Sequence, residues 1–214
     1  MIVAVVNSKG GVGKSSLAVN LAAVRACGGR DVILVDTDPQ GSAMKWSGER
    51  DASGMTPRVP VIAKSGKGLQ AELADLARRY QDIVIDTGAR DSPEVRASLV
   101  SAHVVIVPAQ ASQADLWNME SLVELIEAAR GFNPNLRAIA VVTRASTNPA
   151  VQDTAAAREF IAALPAFARS SSVIRERTVW RRSFASGLSI SEHQPVDARA
   201  NAEFDQLAQE VFDG

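Results

Sequence analysis

The chain has 214 residues, of which 46% are hydrophobic and 22% are charged, and its net charge is −1. This length and composition predict one globular domain over residues 1–214 and exclude a disordered chain. The near-neutral charge gives no support for nucleic-acid binding by the surface as a whole, and the single Cys27 excludes an intrachain disulfide. Because Cys27 ends the first apolar helix, we expect it in the core.

Neither a secretory leader nor a membrane span is predicted. The apolar start is short and has no basic residues before it, and no apolar run reaches the roughly 18 residues of a spanning helix. We therefore expect a cytoplasmic protein that does not span a membrane.

Apolar runs alternate with helix-like segments along the whole chain, which predicts an α/β fold with a mostly parallel sheet and helices on both faces. The predicted strands are Ile2–Val6, Val32–Val35, Val59–Ala63, Ile83–Ile85, Val104–Val107 and Ala138–Val142. The predicted helices are Ser15–Ala26, Ser42–Glu49, Gly68–Tyr80, Pro93–Ser101, Asp115–Ala129, Pro149–Ala163 and Ala198–Phe212. The segment Ser47–Pro60 is rich in Gly, Ser, Asp and Pro and is interpreted as a mobile surface loop.

The most informative motif follows the first strand. It is a glycine-rich turn that leads into the first helix, the arrangement of a phosphate-binding P-loop. Backbone N–H groups of such a turn converge on phosphates, Lys14 reaches the outer phosphates, and the Ser15 hydroxyl binds Mg²⁺. The residues predicted to bind the nucleotide here are Lys9, Gly10, Gly11, Val12, Gly13, Lys14, Ser15 and Ser16.

Two further strands end in aspartates. Asp36 and Asp38 follow the second strand, and Asp86 ends the strand Ile83–Ile85 in the manner of a Walker B element, which holds Mg²⁺. Two carboxylates two residues apart on an extended strand point the same way, so we expect both Asp36 and Asp38 to face the phosphate site. Ligands in such a sheet bind at the carboxyl ends of the strands, where all three aspartates lie.

The P-loop has Ser8 where the usual spacing has a glycine, and it has a second lysine, Lys9, before the glycine pair. This pattern resembles the deviant Walker A motif of the ParA/MinD class of ATPases, and Asp36–Gln40 resembles the D-x-D-P-Q signature of that class. The resemblance implies a P-loop NTPase-like fold, with ATP and Mg²⁺ as ligands. It implies that Asp38 positions the attacking water and contacts the Mg²⁺ shell, while Asp36 shares that shell or orients its neighbours. It also implies that Lys14 acts on its own nucleotide and that Lys9 crosses a homodimer seam to the partner's ATP.

The later part of the chain resembles the class less closely. The segment Pro108–Asp115 is similar to a turn beside the nucleotide in short ParA proteins, although an ordinary helix start capped by Ser112 or Asp115 explains it nearly as well. Thr143 and Arg144 match the position near the adenine base.

Four arginines lie close together near the C-terminus: Arg175, Arg177, Arg181 and Arg182. Such a patch would contact phosphates without sequence preference. In ParA-type proteins the corresponding region binds DNA once the ATP dimer has formed, and a solvated helical face is the alternative interpretation. Trp180, within this segment, is expected in the core because duplex DNA offers no free base faces.

Taken together, the resemblance implies a short ParA-type partition ATPase without an N-terminal helix-turn-helix. Its expected partners are a second copy of the chain, nucleoid DNA, and a ParB-like or cargo-adaptor protein that stimulates ATP hydrolysis. A MinD-like membrane-associated regulator is disfavoured by the acidic residues that end the last helix. A nitrogenase-type iron protein is disfavoured by the single cysteine. A small-molecule kinase or ligase remains open.

Overall fold

A computed structural model describes residues 1–66, 68–148 and 150–214, with only the backbone described at Gln113. Seven strands form one parallel sheet in the order β3-β2-β4-β1-β5-β6-β7. The strands are β1 (Ile2–Val5), β2 (Val32–Asp36), β3 (Val61–Ala63), β4 (Asp82–Asp86), β5 (Val104–Gln110), β6 (Arg137–Ala145) and β7 (Ala168–Arg175). The predicted α/β class with a mostly parallel sheet is confirmed.

The described helices are α1 (Lys14–Cys27), α2 (Ser42–Ala52), α3 (Leu69–Leu76), α4 (Pro93–Ser101), α5 (Gln113–Arg130), α6 (Asp153–Ala162), α7 (Thr178–Ala185) and α8 (Ala198–Phe212). None of them is long and apolar enough to cross a bilayer, within the ranges that the structure describes.

The strand at the centre of the sheet is β1, and later strands flank it on both sides. Strands β2 to β4 lie on one side and β5 to β7 on the other. All four residues of β1 are buried, because helices cover both faces and form two apolar clusters. The point where the strand order reverses is where α/β sheets bind ligands, and the glycine-rich turn after β1 lies at that edge.

Two predictions about the first half of the chain are wrong. Helix α2 runs to Ala52, so the first part of the predicted loop Ser47–Pro60 is helical. Contacts that the local composition does not show extend it: Trp46 donates to the carbonyl of Leu188, and Arg50 is almost fully buried. Cys27 is exposed rather than in the core, because it comes after Ala26, the last buried residue of α1, and lies 3.6 Å from the Glu192 carboxylate.

Strand β7 was missed by the sequence analysis. Three consecutive serines, Ser170 to Ser172, interrupt its apolar pattern, and they are satisfied by contacts with Glu210 and with the Glu203 carbonyl on α8. Helix α6 begins at Asp153, whereas the predicted helix begins at Pro149, which lies outside the described residues. The predicted closing helix Ala198–Phe212 is confirmed, with Phe204, Leu207 and Val211 buried.

Candidate nucleotide-binding site

The turn between β1 and α1 borders a cavity of about 870 Å³. Gly11 and Gly13 have φ angles of +77° and +99°, which side chains other than glycine rarely adopt, and Gly13 is the N-cap of α1. The backbone therefore curls around the start of α1 with its N–H groups available, as anion binding requires. The cavity is lined by Gly10, Gly11, Gly13, Lys14, Ser15, Ser16, Thr37, Asp38, Pro39, Gln40, Ser42, Ser65, Gly88, Ala89, Arg90, Ser92, Glu94 and Phe184.

The two lysines of the turn have different surroundings. Lys14 lines the cavity, is 6% exposed, and donates to the Lys9 carbonyl at 2.8 Å. Burial lowers the pKa of Lys14, while the charges of Asp86 and Asp38 act in the opposite direction. Lys9 does not line the cavity, and its side chain is 39% exposed. The structure thus directs one lysine into the site and the other away from it.

The side chain of Lys9 is held by helix α5. Its Nζ atom lies 2.5 Å from Oδ2 of Asp115, which is fully buried. Ser112 caps α5 and also hydrogen-bonds to that carboxylate. Both interpretations of this segment therefore have support: it is an ordinary capped helix start, and it also contacts the P-loop.

The two aspartates after β2 differ in position. Asp36 is buried, does not line the cavity, and accepts hydrogen bonds from the backbone N–H groups of Asp38 and Met44. Asp38 lines the cavity and accepts from the Gln40 N–H at 2.9 Å. The expectation that both carboxylates face the site is wrong, because β2 ends at Asp36 and the Asp36 carboxylate accepts the Met44 N–H in the first turn of α2 instead of lining the cavity.

Asp86 lies behind the cavity wall, close to Lys14 and Ser15. It is fully buried, and within the described residues no donor has good hydrogen-bond geometry to either carboxylate oxygen. Burial is the main cause that raises its pKa to about 7; the charges of Asp36 and Asp38 add to the rise, whereas the nearby Ser15 hydroxyl and the charge of Lys14 oppose it. A buried carboxylate with unsatisfied oxygens fits a nearby cation.

Ser15, Asp38 and Asp86 suit the kind of Mg²⁺ site in which a nucleotide supplies part of the coordination. No group of three or more His, Cys, Asp or Glu side chains suited to a metal occurs among the described residues. Mg²⁺ in such sites needs only one or two carboxylates, because nucleotide phosphates and water supply the other oxygens. Ser15 and Asp38 on the cavity and Asp86 behind it meet that requirement.

A second cavity of about 210 Å³ lies on the other side of the P-loop. Its walls include apolar Val12, Leu17 and Ile174, and Thr143 and Arg144 also line it. Thr143 donates to the Val12 carbonyl at 2.9 Å. Arg144 has a φ angle of +51°, unusual for a side chain other than glycine, and its guanidinium donates to the Gly11 carbonyl and pairs with Glu176.

The four C-terminal arginines are divided by the structure. Arg175 and Arg177 both pair with the carboxylate of Glu203, at 2.9 and 3.0 Å. Arg181 and Arg182 are exposed on α7 and form no ion pair within the described part of the chain. The patch is therefore smaller than the sequence suggests.

One prediction about this region is confirmed, and one important residue was missed. Trp180 is buried and packs edge-on against Phe204, with 5.9 Å between ring centroids, so its predicted place in the core is confirmed. Glu203 was missed because it comes from α8, far along the chain from the arginines that it neutralises.

Other contacts at the site were also missed. Asn7 accepts a hydrogen bond from the Lys9 backbone N–H, and Asn118 of α5 contacts both Asn7 and Ser8. Ser8, noted only as a departure from the usual glycine, thus has a partner. The position of Asn7, in a short polar run between a buried strand and the glycine turn, could have indicated that it contacts the P-loop. The sequence around Asn118 contains no comparable indication.

A parallel sheet with a glycine-rich turn after its central strand, an inward lysine and a carboxylate at the end of the adjacent strand defines a P-loop nucleotide-binding protein. Comparison with known families agrees. The model of the CobQ/CobB/MinD/ParA nucleotide binding domain matches residues 3–190, and the chain belongs to this family, which includes nucleotide-binding ATPases.

Curated relatives align along almost the whole chain. The "Maintenance of carboxysome distribution protein A" of Halothiobacillus neapolitanus is 31% identical, covering 98% of this chain and 95% of the relative. The protein with the same description from Gloeobacter kilaueensis is 33% identical, over 98% and 93%. The "Chromosome-partitioning ATPase Soj" of Thermus thermophilus is 29% identical, over 98% and 94%.

Solved structures share the fold. An ATP complex of an alanine variant of Cyanothece McdA superposes with a TM-score of 0.79 at 17% identity, covering 98% of this chain and 95% of that one. Cobyrinic acid a,c-diamide synthase of Mycobacterium smegmatis, bound to an ATP analogue and magnesium, gives 0.78 at 19% identity, over 97% and 92%. At these identities the likeness establishes the architecture alone.

Proposed function

We propose that the chain is an ATP-dependent positioning ATPase, in which residues 1–214 act as one ATPase domain. ATP closes a sandwich homodimer, the dimer binds DNA without sequence preference, and a partner protein stimulates the hydrolysis that releases it. The observation that carries the proposal is the separation of the two P-loop lysines: Lys14 lines its own phosphate cavity and Lys9 does not. Because the exposed Lys9 side chain does not line its own phosphate cavity, it is available to contact the nucleotide of a partner subunit.

In this proposal the triphosphate lies in the larger cavity. The N–H groups of Gly10 to Gly13 and the N-terminus of α1 hold the phosphates, and Lys14 neutralises their charge. Ser15, Asp38 and Asp86 would hold Mg²⁺ and its water shell, and the ion would supply positive charge that offsets the charge developing on the phosphates during transfer.

The remaining chemistry belongs to Asp38 and Lys9. Asp38 orients the attacking water; full proton abstraction is not required, because positioning and charge stabilisation carry most of phosphoryl transfer. Lys9 from the partner completes the positive charge around the terminal phosphate, in the way that arginine fingers do. Hydrolysis then depends on dimer formation.

The base is proposed to occupy the smaller cavity. Its apolar walls suit a purine, it shares Gly11, Gly13 and Ser16 with the phosphate cavity, and Arg144 lies at its edge. The guanidinium of Arg144 is held by Gly11 and Glu176, so it offers a fixed planar surface.

DNA contact is proposed to centre on Arg181 and Arg182, which are the exposed arginines of the patch. Arg175 and Arg177 support it, although Glu203 neutralises part of their charge. Two copies in a dimer double the patch, so binding follows the nucleotide state. The cargo is proposed to be a plasmid, a chromosome region or another large body such as a carboxysome, linked through a ParB-like or adaptor protein.

The MinD-like alternative is not favoured. The apolar face of α8 is buried against the sheet, and Glu203 and Glu210 on the same helix bind residues of β7. This helix therefore has no apolar face left for lipid.

The test is nucleotide-dependent dimerisation, measured by light scattering after size-exclusion chromatography. Asp38→Ala should retain an ATP-bound dimer that stays on DNA. Lys9→Ala should bind nucleotide but remain monomeric, and Lys14→Ala should lose nucleotide. Lys45→Ala, at an exposed lysine of α2, is the matched control and should behave as the parent. A Lys9→Ala chain that dimerises normally with ATP would refute the proposal.

DNA binding needs a separate measurement. Arg181→Ala/Arg182→Ala should weaken binding to unrelated duplexes about equally and make the salt dependence shallower, by about 0.9 in the log–log slope for each phosphate that the variant no longer neutralises. Arg78→Ala, at an exposed arginine that follows α3, is the control. An unchanged slope would remove α7 from the DNA surface.

A further inference from the structure

Arg90 has no role in the function proposed above, although it lines the phosphate cavity. It lies in the loop that follows Asp86, and it is exposed. Lys14 and Arg90 are the two cationic side chains that line this cavity in the described part of the chain. No hydrogen bond or ion pair engages the Arg90 side chain within the described residues.

The acidic residues near Arg90 are already engaged. Asp91 is bound by the guanidinium of Arg96, with Nε at 3.0 Å and Nη2 at 2.5 Å. Glu94 accepts the backbone N–H of Gly66 at 2.6 Å. Among the described residues no acidic side chain pairs with the guanidinium of Arg90, although the carboxylates of Asp38 and Glu94 line the same cavity.

The loop that carries Arg90 lies against both the P-loop and the Asp38 loop. A Cβ on Gly10 would lie 3.9 Å from the Ala89 Cβ, and a Cβ on Gly88 would lie 3.8 Å from the Asp38 Cα. Ser92, two residues further on, lines the cavity and caps α4, a nine-residue helix whose N-terminus favours negative charge. The guanidinium of Arg90 and the N-terminus of α4 thus both favour an anion at this edge of the cavity, which the Glu94 carboxylate also lines.

We propose that Arg90 binds the terminal phosphate of the nucleotide in its own subunit and makes the site distinguish a triphosphate from a diphosphate. The proposal rests on the proposed function, since it requires the triphosphate in this cavity. A triphosphate with Mg²⁺ still carries excess negative charge, and within one protomer Lys14 is the other lining cation that offsets it. A planar guanidinium donates two parallel hydrogen bonds to phosphate oxygens, which an ammonium group does not.

The experiment compares two ligands in a chain that does not dimerise. Arg90→Ala, Arg90→Lys and the surface control Arg78→Ala are each made in the Lys9→Ala background, and light scattering verifies that they are monomeric. Calorimetry with Mg²⁺ then gives the affinities for ADP and for a non-hydrolysable ATP analogue. Arg90→Ala should weaken the analogue about 10- to 100-fold, the range for a lost hydrogen bond to a charged group, and change ADP less than about twofold. Arg90→Lys should recover part of the loss.

The outcomes separate the two proposals. Equal effects of Arg90→Ala on both ligands, or no effect on either, would overturn the role of Arg90 and leave the ATPase proposal intact. Arg90→Ala is also titrated in the chain that retains Lys9; a loss of affinity for the analogue in that chain alone would overturn the assignment to its own subunit. If the Lys9→Ala parent and the Arg78→Ala control bind neither nucleotide, both proposals fail.

Discussion

The contact between Lys9 and Asp115 leads to a quantitative prediction about dimerisation. If Lys9 must reach the partner's nucleotide, it must first leave a buried carboxylate 2.5 Å away. At an effective dielectric constant near 20 the attraction at this distance is about 7 kcal/mol, most of which is offset by desolvation. Because Lys9 is 39% exposed, we take a net value of about 1–2 kcal/mol, between those of exposed and buried pairs.

Asp115→Asn removes the charge while keeping the shape of the side chain. A dimer breaks two such pairs, so the variant should dimerise more tightly by about 2–4 kcal/mol, or about 30- to 1,000-fold. Sedimentation equilibrium with a non-hydrolysable ATP analogue measures the dissociation constant directly. Asp153→Asn, at an exposed aspartate in the first turn of α6, is the matched control.

An Asp115→Asn chain whose dimer is as weak as that of the parent, or weaker, would contradict this prediction. A tighter dimer in the absence of any nucleotide would also contradict it, because Lys9 would then be engaging something other than the partner's phosphates.

Four further predictions concern stability. Arg50 is almost fully buried and its guanidinium contacts Pro57, Gly187 and Glu192, so Arg50→Ala should lower the free energy of unfolding by about 3–5 kcal/mol in urea titrations. Burial raises the pKa of Glu192, but hydrogen bonds from Arg50 and Ser189 outweigh it and lower the pKa from 4.5 to about 2. The pair therefore contributes stability above pH 4.5 that is lost as the pH falls towards 2, and Glu192→Gln should remove this dependence; an equally steep acid transition would contradict it. Gly187 has a φ of +68°, and a Cβ there would overlap the backbone of Glu49 and Arg50, so Gly187→Ala should lower the free energy of unfolding by about 2–4 kcal/mol; Gly48→Ala, in an open position, is the control. The pKa of Asp86 is about 7 in the folded chain against an ordinary 3.8, so the nucleotide-free protein should lose stability as the pH rises from 4 to 7, and Asp86→Asn should flatten that slope; parallel slopes for both chains would refute the assignment.

Much of the architecture is predictable because the strands are short continuous apolar runs. Strands buried on both faces need apolar residues throughout, and this leaves a pattern that does not depend on distant contacts. The P-loop was predictable for the same reason: its glycines are needed for local backbone angles, and Lys14 and Ser15 follow at once in the helix that those glycines begin. The strand, the glycine turn and the helix together occupy fewer than thirty consecutive residues.

The parts that failed depend on residues far apart in the chain. The extension of α2 to Ala52 requires Trp46 and Arg50 to contact residues 187–192, and β7 requires its serines to meet α8. Neither contact leaves a local pattern, because the stabilising partner lies more than thirty residues away.

Sequence patterns alone predicted six of the seven strands, the P-loop, and the roles of Lys9, Lys14, Asp38 and Asp86 as site residues. Which side chains face the cavity is known only from the tertiary structure. Asp38 and Lys14 line it, whereas Asp36 binds the Met44 N–H of α2 and Lys9 pairs with Asp115. The tertiary structure also decided that Glu203 neutralises two of the four arginines. The orientation of a charged side chain depends on the groups that folding brings within a few ångströms of it. Ion pairs between distant residues leave no repeating pattern in the sequence, whereas buried strands do.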